Sequence, residues 1–226
     1  MLDALRATAF TLFGAPTSWA EVIGFASGAL VVWLVVLQHV WNWPVGMLNN
    51  IMFFLLFTTS GLYADAWLQV FYFGLAVYGW WAWLRGGERH TRLRVSRTTP
   101  AQWAVVLAAG VAGTTTLAWA LDAHTDSTVP LADAVTTVLS LLATWGQARK
   151  KIESWWLWIT ADVIYVPLYA TKDLWLTAGL YLGFLALCVV GLRSWTADYR
   201  AAGGRSAGLA TGQTSGSGSS VTSSST

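Results

Sequence analysis

Seven apolar stretches run through this chain, at about 21–39, 43–59, 62–84, 101–121, 131–148, 155–171 and 173–195. Each approaches the ~20 mostly apolar residues that a helix needs to cross a hydrocarbon core. Only 11% of the residues are charged, against about 25% in an ordinary soluble domain. So few charges cannot cover a water-facing surface of this size, and lipid is the expected solvent. The 16 tryptophans fit that setting, because an indole finds partners for both its ring and its N–H at a membrane–water interface. We therefore expect an all-α integral membrane protein with seven transmembrane helices.

The connections between the first and second, second and third, and sixth and seventh stretches are a few residues long, which makes these neighbours antiparallel hairpins. Residues 1–20 lack a basic start followed by a long apolar core, so no cleavable signal peptide is expected. They read as an interfacial segment, with Leu2, Leu5, Ala9, Leu12 and Phe13 on one face of a short helix beside Asp3 and Arg6, ended by Pro16. Residues 196–226 read as a disordered tail, rich in Gly, Ser and Thr from 201 onward. Orientation follows from Lys and Arg in short loops. Residues 85–99 hold Arg85, Arg89, Arg92, Arg94 and Arg97, residues 149–151 are Arg-Lys-Lys, and Arg193, Arg200 and Arg205 flank the last span. Residues 122–130 carry Asp122, His124 and Asp126 but no cation. With seven spans all three basic flanks share one side, the cytoplasm, which leaves the N-terminus outside and the C-terminus inside.

Laying Trp33 on Trp145 aligns 21–83 with 133–195 without a gap. In that register Trp43 meets Trp155, Trp83 meets Trp195, and Gly79 meets its own kind; Asn50 meets Asp162. Each copy holds three helices, and the fourth is a linker that returns the chain to its starting side. The expected plan is 3+1+3, two parallel repeats: a first bundle at 21–84, a basic loop at 85–99, a linker helix at 100–122 and a second bundle at 131–195. Transporters built this way bind substrate between the copies near mid-membrane.

Polar groups at membrane depth face the bundle interior, because lipid offers them no partner. Helical spacing puts Trp43, Met47 and Asn50 on one face, and Trp155, Trp158, Asp162 and Tyr165 on the matching face of the second copy. Asp65, Gln69, Tyr72 and Ala76 line up on the third helix, and Thr137, Ser140, Thr144 and Gln147 form a stripe on the fifth. From these we take Trp43, Asn50, Gln69, Tyr72, Thr144, Gln147, Trp155, Trp158, Asp162 and Tyr165 as candidate substrate contacts. The set suits a small ligand with a flat ring and hydroxyls: rings stack on Trp or Tyr, and hydroxyls pair with Asn, Gln and Asp. A cationic ring gains further from aromatic faces and Asp162. Blander roles fit other residues. Trp41, Trp80, Trp81 and Trp83 read as interface anchors, Asp65 as a charge serving a helix N-terminus, and Ser and Thr as glue between helices. Pro44 fits a first turn, whereas Pro167 lies inside helix six and is expected to kink it.

His39, His90 and His124 fall in three separate loops, the single Cys188 sits in an apolar run, and there is no phosphate-cradling glycine loop. We expect no enzyme, no cofactor and no metal site. The net charge of +2 gives no reason to expect nucleic acid as a partner.

WNWPVG at 41–46, LYADAWLQVFYF at 62–73, YGWWAW at 78–83 and the run RKKIESWWLWITADVIYVPLY from Arg149 resemble the PnuC family of bacterial vitamin transporters over roughly residues 20–195. That family is similar in plan to the SWEET sugar transporters. The resemblance implies uptake of nicotinamide riboside, a cationic ring on a ribose, across the bacterial cytoplasmic membrane by facilitated diffusion. It also implies trapping of the substrate by a cytoplasmic kinase, and a homotrimer. Ser154 stands where an asparagine is expected, which puts it in doubt as a ligand. Two alternatives stay open: thiamine or riboflavin as cargo on the same fold, and a seven-helix receptor that transports nothing.

Overall fold

The computed structural model describes residues 7–12, 15–59, 61–124, 129–171 and 175–215. Among these, seven long helices follow a short hairpin: α1 (Trp19–Val36), α2 (Asn42–Thr59), α3 (Tyr63–Arg85), α4 (Pro100–His124), α5 (Pro130–Ala148), α6 (Ser154–Ala170) and α7 (Trp175–Ser215). The regular structure of the described residues is all-helical apart from the hairpin. The stretches Pro100–Ala123 and Thr177–Gly203 are long and apolar enough to cross a bilayer by length and composition. The other helices dilute their apolar runs with amides and hydroxyls, such as Asn49 and Asn50 on α2 or Ser140 and Thr144 on α5, and these turn inward.

Helix ends follow from local chemistry. Gly61 has φ +78, the left-handed conformation that glycine adopts without strain, and its N–H bonds the carbonyl of Thr58 while Leu62 N–H reaches back to Phe57. Two other ends use non-glycine residues in the same region. Gln38 (φ 53) follows α1 and Lys150 (φ 49) follows α5, at positions that the sequence register pairs. The next residues cap the helices alike, His39 N–H bonding Leu34 O at 2.8 Å and Lys151 N–H bonding Gly146 O at 2.9 Å. Helix α6 continues through Pro167 to Ala170, one turn beyond the missing N–H.

The helices pack as α1 on α2, α2 on α3, α5 on α6 and α6 on α7; α1 also packs on α7, α3 on α5, and α4 on α5. The core is a cluster of Trp43, Trp83, Trp155 and Trp195 with Val35, Val36, Ala76, Ala148, Ile152 and Cys188. Trp43 meets Trp83 edge to face at 5.4 Å and 89°, and Trp155 meets Trp195 at 5.4 Å and 87°. The indole N–H of Trp83 bonds the carbonyl of Gln147 at 2.9 Å, and that of Trp195 bonds the carbonyl of Val35 at 3.1 Å.

Three expectations are corrected. Residues 8–18 form no interfacial helix: Thr8–Leu12 and Ala15–Ser18 are antiparallel strands, with Leu12 opposite Ala15 and Thr11 opposite Pro16. Threonine and aromatic residues favour extended backbone there, and Pro16 cannot continue a helical ladder. The tail is not disordered from residue 196, since α7 continues to Ser215. Extending an existing helix adds a hydrogen bond per residue without the cost of a new nucleus. Trp83 is no interface anchor but 3% exposed, whereas Trp41, Trp80 and Trp81 remain exposed. Leu2, Asp3, Leu5, Arg6, Phe13, Asp126, the side chain of Arg205 and residues 216–226 lie outside what is described.

Candidate functional site

A cavity of about 370 Å³ lies between the helices that make up the two halves of the sequence. All ten residues selected from the sequence line it: Trp43 and Asn50 from α2, Gln69 and Tyr72 from α3, Thr144 and Gln147 from α5, and Trp155, Trp158, Asp162 and Tyr165 from α6. They meet because these helices share one interior, and a polar side chain in an apolar helix has no other place to find a partner. Asp65, Met47, Thr137 and Ser154 do not line it. Asp65 is exposed in the first turn of α3, Met47 packs on the tryptophan core, and the Thr137 carbonyl accepts from Ser140 Oγ at 2.8 Å. Ser154 is spent locally, donating to Lys151 O at 2.7 Å.

The walls differ. Toward α3 and α5 the lining is polar: the Tyr72 hydroxyl hydrogen-bonds Ser140 Oγ, and Gln69, Thr144 and Gln147 stand beside them. Toward α1 and α7 it is apolar, with Val31, Val32, Val35 and Phe184. Tyr165 and Tyr169 stack at 5.6 Å, and Tyr181 joins them at 4.7 Å from Tyr165. Asp162 is 3% exposed, and its carboxylate accepts one bond among the described residues, from the Cys188 thiol at 3.5 Å. The buried indole N–H groups of Trp43, Trp155 and Trp158 have no acceptor among them. A buried donor without a partner costs about 1–3 kcal/mol. The cavity thus offers one under-partnered carboxylate, hydroxyls and amides on the α3 and α5 side, and further amides on α2. Such a site can hold a flat, hydroxyl-bearing molecule.

A family model described as nicotinamide mononucleotide transporter matches residues 18–197. The chain belongs to the nicotinamide mononucleotide transporter family. The PnuC resemblance read from the motifs is thereby shown, and the family is one of transporters. Among curated proteins, this family member is 29% identical over 194 residues to the riboflavin/roseoflavin transporter RibM of Streptomyces davaonensis, spanning 84% of this chain and 91% of that one. It is 26% identical over 217 residues to the nicotinamide riboside transporter PnuC of Escherichia coli, spanning 85% and 91%. The crystal structure of the vitamin B3 transporter PnuC superposes with a TM-score of 0.60 at 26% identity, covering 79% of this chain and 80% of that one.

Reading this family member's sequence alone passes over Asn42, Asn49, Tyr181, Phe184 and Cys188, all in the cavity wall. The register that lays Trp43 on Trp155 also carries Gln69 to Tyr181, Tyr72 to Phe184 and Ala76 to Cys188. Applied to the third helix as it was to the second, it finds three of the five. Asn42 and Asn49 are harder, because each is committed to the scaffold: Asn42 donates to His39 O at 2.7 Å and Asn49 to Ser27 Oγ at 2.6 Å.

Proposed function

We propose that this chain takes up nicotinamide riboside across the bacterial cytoplasmic membrane by facilitated diffusion, binding it in the cavity between α1–α3 and α5–α7. The observation that carries this reading is Asp162, a buried carboxylate on the cavity wall whose only partner among the described residues is a thiol. A cationic pyridinium or a ribose hydroxyl supplies what that carboxylate lacks. The ring fits the aromatic and apolar side, and the ribose the Gln69, Tyr72, Thr144 and Gln147 side. In this reading the two bundles are parallel repeats joined by α4 and rock against each other, giving alternating access. Support comes from pairs of contacts that recur at register-matched positions, Trp43–Trp83 with Trp155–Trp195 among them. The arginine-rich end faces the cytoplasm, with the N-terminus outside. Trapping by a cytoplasmic kinase and assembly as a homotrimer belong to the same reading and rest on the PnuC resemblance. A proton-coupled pump is disfavoured, since Asp162 is the one carboxylate among the cavity-lining residues.

Riboflavin is a second reading, favoured by the 29% identity to RibM and by the row of Tyr165, Tyr181 and Phe184 on the cavity wall, which offers a longer aromatic surface. Calorimetry on the purified protein with nicotinamide riboside, riboflavin and thiamine separates them. Tight binding of the riboside alone is expected; binding of riboflavin alone replaces the first reading with the second. If none of the three binds, the site reading fails and a non-transporting receptor becomes the better account.

A further inference from the structure

The end of the cavity that carries the arginines is closed by contacts that cross from one half of the chain to the other. Trp83 of α3 bonds Gln147 O of α5, and Trp195 of α7 bonds Val35 O of α1. Both carbonyls belong to residues that line the cavity. These two bonds match each other, but the side chains just beyond them do not. Where the first half has Gln38, the second has Lys150. The Lys150 ammonium donates to Gln38 Oε1 at 3.2 Å and lies 4.4 Å from the centroid of the Trp83 ring. Gln38 passes the connection on, donating from Nε2 to Asp198 Oδ2 of α7 at 2.5 Å. The carboxylate therefore pairs with the amide, and the lysine holds a neutral oxygen and an indole face. Lys150 is 8% exposed and its backbone sits at φ 49. A cation taken out of water and given only neutral partners is under-compensated.

We propose that Lys150 is a proton-controlled release for the basic end of the cavity: charged, it drives that end open, and neutral, it lets that end stay shut. The inference rests on the alternating-access reading above. Burial, and after it the Arg92 guanidinium, push the lysine down to about 8 from the ordinary value of 10.5, while Asp198 pulls the other way. Other charges nearby are Arg149 and Lys151 on its own loop, and His39, beside Gln38, is exposed. Opening returns Lys150 to water, where it binds its proton as an ordinary lysine does. The open form thus holds more protons than the closed form between about pH 8 and about pH 10.5, so raising pH through that window favours closure. A simple clasp would behave the other way, loosening as the charge is lost.

The chain supplies its own reporter. Cys188 is its one cysteine and lines the cavity. A membrane-impermeant methanethiosulfonate labels it when the thiolate sulfur bonds the reagent's sulfenyl sulfur and a sulfinate leaves. Inverted vesicles, checked by trypsin cleavage of the arginine-rich loop, present the basic end to the reagent. Dividing the wild-type labelling rate by that of Lys150→Met at the same pH removes the thiol's own pH dependence. The ratio is expected to be several-fold or more at about pH 7, to fall steadily above about pH 8, and to approach one only beyond about pH 10.5. Lys150→Arg, which keeps its charge, should hold a high ratio throughout. A ratio that does not change with pH overturns the proposal, and so does Lys150→Met labelling as fast as or faster than wild type near neutrality. Lys150→Gln replaces the methionine variant if the latter does not elute as a folded species. No vitamin enters this assay, so its failure is distinguishable from a failure of the transport assignment.

Discussion

Trp43 and Trp155 each lie against a glycine on a neighbouring helix. A methyl at Gly79 would approach the Trp43 ring to about 2.5 Å, and one at Gly191 would overlap the Trp155 ring. Neither indole can swing away, because each is buried against a second tryptophan. Gly79→Ala and Gly191→Ala should therefore each cost about 1–3 kcal/mol, the usual penalty for overpacking, seen as a lower unfolding midpoint in detergent. Equal stability with the wild type would mean the cluster is looser than drawn. In the cavity, Asp162→Ala and Trp155→Ala should weaken riboside binding more than about tenfold, or about 1.4 kcal/mol, with Asp162→Asn as the variant that preserves shape. Wild-type affinity in all three would misplace the site. These residues could be read from the sequence because helical spacing and the repeat register both pointed at them. Trp83 could not, since its role depends on a carbonyl of Gln147 that no side-chain pattern reveals.

Among elements, the last turns of α1 and α5 matter most. A helix ends with carbonyls outside its own ladder, and here those of Val35 and Gln147 each accept a local N–H, from Gln38 and Lys150 at 2.9 Å, and an indole N–H from the opposite half. Trp83→Phe and Trp195→Phe each remove a hydrogen bond that ties the two halves together, while the carbonyl keeps its local N–H partner, at a cost of about 0.5–1.5 kcal/mol. Similar losses in thermal unfolding are expected from the two, and a loss from one alone would contradict their equivalence. The loop after α3 is strapped to the start of α6. Ser96 exchanges backbone bonds with Lys150 and Ile152, Lys151 Nζ donates to Arg97 O at 2.9 Å, and Thr98 donates twice to Glu153 Oε2, from N and Oγ1, at 2.9 Å each. Thr98→Ala should speed tryptic cleavage at Arg97 while leaving helix content unchanged by circular dichroism. The seven helices were legible because each is a predominantly apolar run bounded by breakers, although just two, Pro100–Ala123 and Thr177–Gly203, reach spanning length and apolarity among the described residues. The N-terminal hairpin was not, because its few residues carry an amphipathic pattern that reads as helix, while pairing with Ala15–Ser18 decides the outcome. Nor was the strap, whose bonds join segments with no shared pattern.

At the scale of the whole molecule, like positions carry unlike chemistry. Gly28, Val32, Val35, Asn50 and Ala76 in the first half stand where Ser140, Thr144, Gln147, Asp162 and Cys188 stand in the second, and all ten line the cavity. A ligand therefore meets different chemistry from the two halves, which favours one pose over its mirror across the repeat. Vesicles containing the purified protein and no kinase should equilibrate riboside with the outside and stop there. Accumulation beyond equality under an imposed proton gradient would contradict the facilitator reading. The crossed tryptophan bonds have a further consequence for the order of synthesis. A ribosome delivers α1–α3 before any of α5–α7 exists. Until the later helices arrive, the Trp83 N–H has no mate and Asn50, Gln69 and Tyr72 lack their facing wall, and unmatched polar groups in hydrocarbon cost several kcal/mol. The half-made chain carries an open polar seam that only its own second half can close, so it must be sheltered until translation is nearly complete.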